Sequence, residues 1–320
     1  MGMIDILSFG SESGNIEELW QLADHSTLET NEQSALIREG LRNGLTYPQA
    51  LTLAKKETVP ASPNDILAVE YLKALKICRS QITPYPILRE GAAYHDTDIF
   101  LKNASASAIR QTLKQAAASG SSSGAAPDLA ALSAAMPPEA FRIFSEQPAS
   151  PAYLEADDFS GILNYLLLFY PAEALACFAD CNIEIANRLK KNLREFSSFT
   201  QFAALNQSRD ITYARMDRIF THILLHMTAE DYKQAKQLGY VPYLRPLGFK
   251  KSSSGVLSEI KKHTDIPLIG KLANARQTLS DDACRLLEKD IFAADLYEQV
   301  LAQKNRTIPR NEYTREIVLL

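Results

Sequence analysis

The sequence predicts an α/β domain, built on part of a doubly wound parallel sheet, followed by a mainly α-helical domain. Residues Ile4–Phe9 are apolar enough for a core strand of a parallel sheet. Residues Asn64–Arg110 follow the order helix, strand, loop and helix, which is the alternation that builds such sheets. Beyond residue 128, nearly every segment places its apolar residues at helical spacing.

Turns and helices are expected between the first strand and the central stretch. Gly10–Gly14 (GSESG) is predicted to form the turn that follows the strand. Helices are predicted over Asn15–Ala23 and Asn31–Asn43. A shorter helix is predicted over Thr46–Lys56, because Pro48 falls in its first turn, where proline is tolerated.

The central stretch begins with a strongly periodic helix, predicted over Asp65–Lys76. Its apolar positions are Ile66, Val69, Leu72 and Leu75. Ser62–Asn64 precede this helix, where capping residues belong. Ile82–Leu88 is then expected to form a short buried strand, and a loop over residues 91–96 leads toward the next helix.

The start of that next helix combines two hydroxyls with a cation. Ser105 and Ser107 lie in its first turn, and Arg110 follows three residues beyond Ser107. Hydroxyls, free backbone N–H groups and a guanidinium at a helix start form a suitable cradle for a phosphate group. Serines at this position also act simply as helix caps, so both interpretations stay open.

A run of small residues separates the two predicted domains. Ala116–Pro127 (AAASGSSSGAAP) has no apolar period, and its composition is that of a flexible linker. We therefore expect an α/β domain over residues 1–115 and a helical domain over residues 128–320. The helices predicted after the linker are Leu129–Ala135, Pro138–Glu146, Phe159–Tyr170, Ile183–Phe196, Ser198–Asn206, Thr212–Leu225, Ala229–Leu238 and Asp281–Gln303. Residues 256–269 are expected to form a helix and then a loop, and residues 317–320 a short strand.

Charge is distributed unevenly along the chain, although the formal net charge is only −4. Between Arg188 and Arg276 there are 16 Lys and Arg against 7 Asp and Glu, a balance of +9. The rest of the chain carries 18 against 31, a balance of −13. A basic region in an acidic chain favours a surface that binds a polyanion, although solvated lysine-rich helix faces produce the same pattern.

The cysteines and histidines form neither a disulfide framework nor a familiar metal site. The four cysteines are scattered, which is typical of a protein of the reducing cytoplasm. Cys177 with Cys181, and His222 with His226, are spaced four residues apart on predicted helices. Neither pair has a second ligand pair at a familiar distance, so we expect no metal site built from these residues and assign them to core positions.

No segment predicts a signal peptide or a membrane span. The start MGMIDI lacks both a basic region and a long apolar run. The most apolar stretch, Ile162–Ala179, is interrupted by Asn164, Pro171 and Glu173. We therefore predict a buried helix pair in that stretch, and a soluble protein.

Several segments taken together resemble one family, and they extend over nearly the whole chain. They are FGSESG (9–14), SPNDILAVEYLKAL (62–75), LREGAAYHD (88–96), ASASAIR (104–110), TYARMDRIFTHILL (212–225), PYLRPLGF (242–249) and NEYTREIVLL (311–320). In this order they resemble the bacterial tRNA(Met) cytidine acetate ligases, nucleotidyltransferase-like enzymes related to the HIGH-motif adenylyltransferases. The resemblance implies that residues 1–115 are the C-terminal part of a nucleotidyltransferase-like, Rossmann-like ATP-binding domain.

The resemblance also implies a reaction and its partners. Acetate would attack the α-phosphate of ATP, with Mg²⁺ present, to give acetyl-adenylate and pyrophosphate. The wobble cytidine of elongator tRNA(Met) would then accept the acetyl group as N4-acetylcytidine. The implied location is the cytoplasm, and no membrane is involved.

Site residues follow from the same resemblance. The positions implied for ATP are Gly10, Asn64, Arg89 and Glu90. The positions implied for the leaving pyrophosphate are Ser105, Ser107 and Arg110. The positions implied for tRNA are Arg209, Arg215, Arg218, Arg245, Lys250 and Lys251.

The sequence departs from the family pattern in one respect. The family carries a histidine-glycine-histidine motif in a first βα unit, whereas no two of the five histidines here lie two or three residues apart. The chain therefore resembles a member without roughly its first ninety residues, judged from the βα structure that would precede Ile4. We expect ATP and tRNA binding without turnover by these 320 residues alone, and an exposed sheet edge that favours a homo-oligomer or low solubility.

Two other functions stay open at this stage. The first is an adenylyltransferase for a small molecule, which the basic region disfavours because a small substrate needs no large polyanion-binding surface. The second is a non-catalytic tRNA-binding protein of the same family, which the missing histidine motif favours.

Overall fold

The computed structural model describes residues 3–26, 62–90, 104–119, 129–145 and 154–320, together with the single residues 35, 36, 39 and 99. The chain divides into two compact units, residues 2–148 and 149–320. The predicted helix over residues 46–56 and most of the one over residues 31–43 lie outside the described part. The loop over residues 91–96 lies outside it as well.

The first unit is organised around a two-stranded parallel sheet. Strand β1 (Ile6–Ser11) pairs with β2 (Thr83–Leu88), so that Gly10 lies opposite Ile87 and Ser11 opposite Leu88. The helices that the described part of this unit contains in full are α1 (Ile16–Ser26), α2 (Pro63–Ile77), α3 (Ala106–Ser119), α4 (Leu129–Ala135) and α5 (Pro138–Ser145). This is the α/β arrangement predicted from the sequence.

The core of the first unit lies on one side of the sheet. Phe9 of β1 packs with Leu19 of α1 and with Ala68 and Leu72 of α2. Because side chains alternate along a strand, the opposite side carries Ile6, Tyr85 and Ile87, which are exposed. The helices α1 and α2 therefore pack on the same face of the sheet.

The second unit is almost entirely helical. Its helices are α6 (Ser160–Phe169), α7 (Ala172–Leu175), α8 (Ile183–Asn192), α9 (Phe199–Asn206), α10 (Tyr213–Leu224), α11 (Ala229–Gln237), α12 (Gly255–His263), α13 (Ala275–Thr278) and α14 (Asp281–Asn305). The largest core cluster joins α6, α8, α9 and α10, and its stacked rings of Phe202 and Phe220 lie 5.8 Å apart. Polar caps mark the starts of five of these helices, α8, α9, α10, α11 and α14, as where Thr212 accepts a hydrogen bond from the Arg215 N–H.

A short parallel strand pair closes the C-terminal part of this unit. Strand β3 (Gly248–Phe249) pairs with β4 (Val318–Leu319). The terminal strand, the helix followed by a loop over residues 256–269, and the long helix over Asp281–Gln303 are all confirmed. The sequence analysis did not identify β3 or α13, because segments of two to four residues carry too little period to detect.

The division between the units falls later than the predicted linker. It lies between Pro148 and Ala149, so α4 and α5 belong to the first unit rather than to the helical domain. Residues 116–119 continue α3, whereas residues 120–128 lie outside the described part, so a linker there stays a prediction.

Three expectations about burial are wrong. The strand β2 is not buried as predicted, since Tyr85, Ile87 and Leu88 are exposed. The stretch Ile162–Ala179 is not a fully buried helix pair, since Tyr165, Leu168 and Phe169 are exposed. Cys177 is exposed as well, whereas His222 is buried as predicted. An apolar sequence shows that a helix has apolar faces, but the number of faces that are covered depends on its neighbours.

Among the described residues, no helix is long and apolar enough to cross a membrane.

Truncating a ring in the main core should destabilise the second unit. Phe220 is fully buried between Phe199 and Phe202, so Phe220→Ala should lower the free energy of unfolding by about 3–5 kcal/mol. Urea unfolding followed by circular dichroism measures this loss. Phe169→Ala, which removes an exposed ring, is the matched control and should change stability by about 0.5 kcal/mol or less.

Candidate functional site

The carboxyl ends of β1 and β2 meet the beginning of helix α2. Parallel strands end at the same edge of a sheet, and here the Arg89 N–H donates to the Ser11 carbonyl over 2.9 Å. Glu12 follows β1, and Asn64 lies in the first turn of α2. The topology therefore brings Glu12, Asn64 and Arg89 together, although they are far apart in the sequence.

The Glu12 carboxylate lies at the N-terminus of α2. It accepts hydrogen bonds from the Asn64 side-chain amide (2.7 Å), the Asn64 backbone N–H (3.1 Å) and the Asp65 backbone N–H (3.2 Å). The Arg89 guanidinium lies 3.9 Å from the same carboxylate. A helix N-terminus attracts negative charge through its free N–H groups and its dipole, so this is an anion-binding position.

Asp65 is the second carboxylate of this junction, and it is buried. It accepts hydrogen bonds from the Ser11 hydroxyl (2.5 Å), the Ser62 hydroxyl (2.7 Å) and the Glu12 backbone N–H (3.1 Å). Burial raises the pKa of Asp65, but hydrogen bonds from Ser11, Ser62 and Ser13 outweigh burial, so the pKa lies below its usual value. Asp65 is therefore a charged acceptor that ties the turn after β1 to the start of α2.

Two glycines shape the turn around these carboxylates. Among the described residues, no atom outside Gly10 and its two chain neighbours lies within 4 Å of the position that a Cβ on Gly10 would occupy, so these residues leave the space beside Gly10 open. Gly14 has a φ of +62°, and a Cβ there would lie 3.1 Å from Leu88 Cδ1. Open space at Gly10 is compatible with the predicted approach of a ligand to the backbone.

The predicted phosphate-binding serines lie at the start of α3. Ser105 is buried, and its hydroxyl accepts a hydrogen bond from the Ala108 N–H over 3.1 Å, as a helix cap does. Ser107 is half-buried and Arg110 is exposed on the same first turns. The cap role of Ser105 is therefore established, and phosphate binding by Ser105, Ser107 and Arg110 stays a prediction.

The remaining predicted ATP residues occupy the edge already described. Asn64 and Arg89 both contact Glu12, whereas Glu90 is exposed at the end of the segment that follows β2. The sequence analysis did not assign roles to Glu12 or Asp65. The pattern Ser62-Pro-Asn-Asp65 is a helix-start signature that indicates Asp65, but Glu12 requires the tertiary fold.

The predicted tRNA residues of the second unit fall into two groups. Arg215 donates to the Asp180 carbonyl (3.1 Å), and Arg218 donates to the Asp180 carboxylate (3.1 Å). The Arg218 side chain stays 57% exposed. Arg209, Lys250 and Lys251 are exposed too, so these cations lie at the surface as a polyanion site requires.

Arg245 differs from these residues because it is paired inside the unit. Its guanidinium lies 2.5 Å from Glu312, which is 5% exposed and also accepts from Arg315 over 2.8 Å. Burial raises the pKa of Glu312, but the two arginines outweigh burial, so the pKa lies below its usual value. Arg245 therefore stabilises the fold next to β3 and β4, whatever it contacts beyond the chain.

His222 lies on α10, whereas His226 lies two residues beyond its end rather than on the same helix as predicted, and both side chains act within the protein. His222 contacts the Ala179 carbonyl (3.0 Å) and the Tyr232 hydroxyl (3.1 Å), and His226 contacts the Tyr170 hydroxyl (3.2 Å). Burial lowers the pKa of His226, and the neighbouring Lys289 lowers it further. Across the described ranges, no group of three or more His, Cys, Asp or Glu side chains is arranged to hold a metal.

Comparison with known families assigns the domain that contains this sheet edge and helix N-terminus to the nucleotidyltransferases. The model of the HIGH nucleotidyl transferase family matches residues 1–312 of the chain. The tRNA(Met) cytidine acetate ligase of Caldanaerobacter subterraneus subsp. tengcongensis is 32% identical over 99% of this chain and 77% of its own length. The Acetivibrio thermocellus ligase is 30% identical over 100% of this chain and 78% of its own length.

A solved structure agrees with these relatives on the fold. Thermotoga maritima TmcAL, in its apo form I, superposes with a TM-score of 0.86 at 19% sequence identity. The match covers 100% of this chain and 78% of the Thermotoga chain. A second form of that protein, bound with alpha-thio ATP, superposes with a TM-score of 0.81. The chain belongs to the tRNA(Met) cytidine acetate ligase family, a family of ligases.

Neutralising Asp65 should loosen the junction. Asp65→Asn places an amide N–H₂ among donors and should lower the free energy of unfolding by about 1–3 kcal/mol. Because the folded-state pKa is depressed, the stability that Asp65 contributes is present above its unfolded pKa of about 3.9 and lost as the pH falls through the folded value. Below about pH 4, the free energy of unfolding of the variant should therefore fall less steeply with falling pH than that of the wild type.

Urea unfolding over a series of pH values, followed by tryptophan fluorescence, tests this expectation. The single tryptophan, Trp20, lies on α1 and so reports on the first unit. Asp24→Asn removes an exposed carboxylate on α1, the helix that carries Trp20, and is the control. Equal stability and equal pH dependence of the two variants would contradict the structural role of Asp65.

Proposed function

We propose that the first unit binds ATP at the edge formed by β1, β2 and α2, and that the protein acetylates the wobble cytidine of elongator tRNA(Met). The observation that carries this proposal is the convergence of Asn64 and Arg89 on an anion, Glu12, at the start of α2 beside the open space at Gly10. A site that already holds one anion at a helix N-terminus has the chemistry to hold phosphate oxygens. The alpha-thio ATP in the Thermotoga relative supports ATP as the ligand.

The proposed chemistry has two steps. An acetate oxygen attacks the α-phosphorus of ATP, the bond to the β-phosphate oxygen breaks, and acetyl-adenylate and pyrophosphate form. The exocyclic N4 amine of the cytidine then attacks the acetyl carbonyl, loses a proton and releases AMP. No covalent bond to the protein is needed, so its side chains act by positioning the reactants and stabilising charge.

Each group has a role in this proposal. Arg89 and Asn64 bind the nucleotide, and Glu12 orients both of them as a positioning residue. Arg110, with Ser107 and the free N–H groups of α3, stabilises charge on the leaving pyrophosphate. Gly10 lets the backbone approach ATP, and Glu90 lies beside Arg89 at the rim of the site.

Magnesium has no part in the steps written here. The carboxylates of Glu12 and Asp65 are already engaged by hydrogen-bond donors, and the described side chains form no metal-binding group of three. A magnesium ion would therefore be held mainly by ATP phosphates and water, as is common for this ion.

The second unit is proposed to hold the tRNA. Residues 188–276 carry the positive balance of +9, and Arg209, Arg215, Arg218, Lys250 and Lys251 lie at the surface of that region. Phosphate contacts supply most of the affinity of such surfaces. A small-molecule adenylyltransferase would have no use for this region, which favours the tRNA substrate.

A tRNA-binding protein without catalysis is the second candidate. It is favoured by the absence of histidines spaced two or three residues apart in the printed sequence. The decisive assay is incorporation of radiolabelled acetate into tRNA(Met) with ATP, followed by nucleoside analysis for N4-acetylcytidine. Formation of acetylcytidine by the purified chain would exclude the second candidate and overturn the expectation of binding without turnover. Binding of ATP and tRNA with no product would agree with that expectation and favour the second candidate.

Removing the Arg110 guanidinium should weaken ATP binding. Arg110→Ala should cost about 1.5–3 kcal/mol of binding free energy, the range for a hydrogen bond to a charged group. Calorimetric titration of ATP measures the change. Arg142→Ala removes another exposed arginine of the same unit, on α5, and should bind ATP as the wild type does. Equal affinities for all three proteins would remove Arg110 from the site.

Reversing charge on α10 should weaken tRNA binding and its dependence on salt. For the double variant Arg215→Glu with Arg218→Glu, the plot of log affinity against log salt concentration should have a smaller slope, because fewer counterions are released. Filter binding of tRNA(Met) at several salt concentrations measures both quantities. Arg142→Glu is the control for a single reversal, since the Arg142 side chain is 56% exposed and that of Arg218 57%. An unchanged slope in the double variant would contradict the proposed interface.

A further inference from the structure

Helix α6 carries large apolar side chains that no described part of the chain covers. Tyr165, Leu168 and Phe169 are 62%, 62% and 65% exposed. Because they follow one another at i, i+3 and i+4, they lie on one side of the helix. We call the two rings on this side, Tyr165 and Phe169, the α6 aromatic face. The buried residues of the same helix are Leu163, Leu166 and Leu167. The core therefore uses one side of α6 and leaves the aromatic side to solvent.

The rings on this face are held in a defined arrangement. The Tyr165 and Phe169 rings are stacked, with centroids 6.0 Å apart and planes at 18°. Phe169 also meets Tyr170 edge to face at 5.2 Å, and the Tyr170 hydroxyl contacts His226. Contacts to a fixed neighbour limit the rotation of Phe169, so two nearly parallel rings are presented to solvent together.

A cation lies beside the face. Lys190 of α8 donates to the Leu167 carbonyl over 2.6 Å and to the Leu168 carbonyl over 3.4 Å. These bonds hold its ammonium group at the C-terminal end of α6, next to Phe169 in the chain. The basic region of residues 188–276 begins at this point of the sequence. The face therefore combines flat rings with positive charge, which is how proteins bind single-stranded nucleic acid.

We propose that the α6 aromatic face stacks against an unpaired base of the tRNA, with Lys190 close to the adjoining phosphate. This inference rests on the proposed function, because tRNA supplies loop bases that are free to unstack. The size of the face favours a base over a protein partner. A stable protein interface takes about 20–30 residues a side, whereas one base can cover the ring face that this site offers.

Truncating either ring should weaken tRNA binding without changing its salt dependence. Phe169→Ala and Tyr165→Ala should each lower the affinity for tRNA(Met) roughly 5- to 150-fold, the range for one base–aromatic stack. The slope against salt should equal that of the wild type, since no phosphate contact is removed. Phe169→Tyr keeps a ring and should bind as the wild type does.

Leu168→Ala is the matched control, because Leu168 is as exposed as Tyr165 and lies between the two aromatic residues. A loss for Leu168→Ala equal to that for Phe169→Ala would indicate a general apolar contact and overturn the stacking proposal. Sedimentation of each variant is measured as well. A change of oligomeric state in Phe169→Ala would assign the face to a second copy of the chain, which also overturns the proposal.

A direct probe separates this proposal from the proposed function. A short single-stranded RNA containing 2-aminopurine should lose fluorescence on binding the wild type but not Phe169→Ala, and the same base in a duplex should not respond. If the wild type binds tRNA with the expected salt slope and Phe169→Ala binds tRNA equally well, only the stacking proposal is overturned. Wild type that does not bind tRNA would contradict the proposed function, and the 2-aminopurine signal would still decide whether the face stacks bases.

Discussion

The first unit depends on two carboxylates that join the turn after β1 to the start of α2. Asp65 of the helix accepts hydrogen bonds from Ser11 and from the Glu12 and Ser13 backbone, while Glu12 of the turn accepts from Asn64 and the Asp65 backbone. Each segment thus provides the acceptor for the donors of the other. A buried donor left without an acceptor costs about 1–3 kcal/mol, so the two segments are strongly held in one arrangement.

This arrangement also determines what the site can bind. Arg89 enters it because β2 pairs in parallel with β1, which places the residue after Leu88 opposite the turn that contains Glu12. One carboxylate, Asp65, is buried, whereas the Glu12 side chain is 27% exposed and the Arg89 side chain 29%. The junction therefore places an amide and a guanidinium at a helix N-terminus, where a phosphate is favoured.

The second unit separates its roles in a similar way. Arg245 is bound to the buried Glu312, whereas Arg218 keeps its side chain largely in solvent. On α6, the leucines at 163, 166 and 167 fill the core, and Tyr165 and Phe169 remain outside it. Residues of the same type thus serve the fold or the surface according to their neighbours. Positive charge and exposed rings occur together where α8 meets the end of α6.

The sequence alone determined the fold class, the family and most helix and strand positions, because apolar period, caps and ordered motifs act locally. The helix over Asp65–Lys76 and the strand over Ile82–Leu88 lie within about two residues of α2 and β2. Only the tertiary structure decided that Glu12 and Asp65 tie the turn to the helix, that Arg245 is internally paired, and that Phe169 is exposed. Each of these features depends on a partner that is distant in the chain, or on which face of a helix its neighbour covers. The local spacing of apolar residues predicts neither.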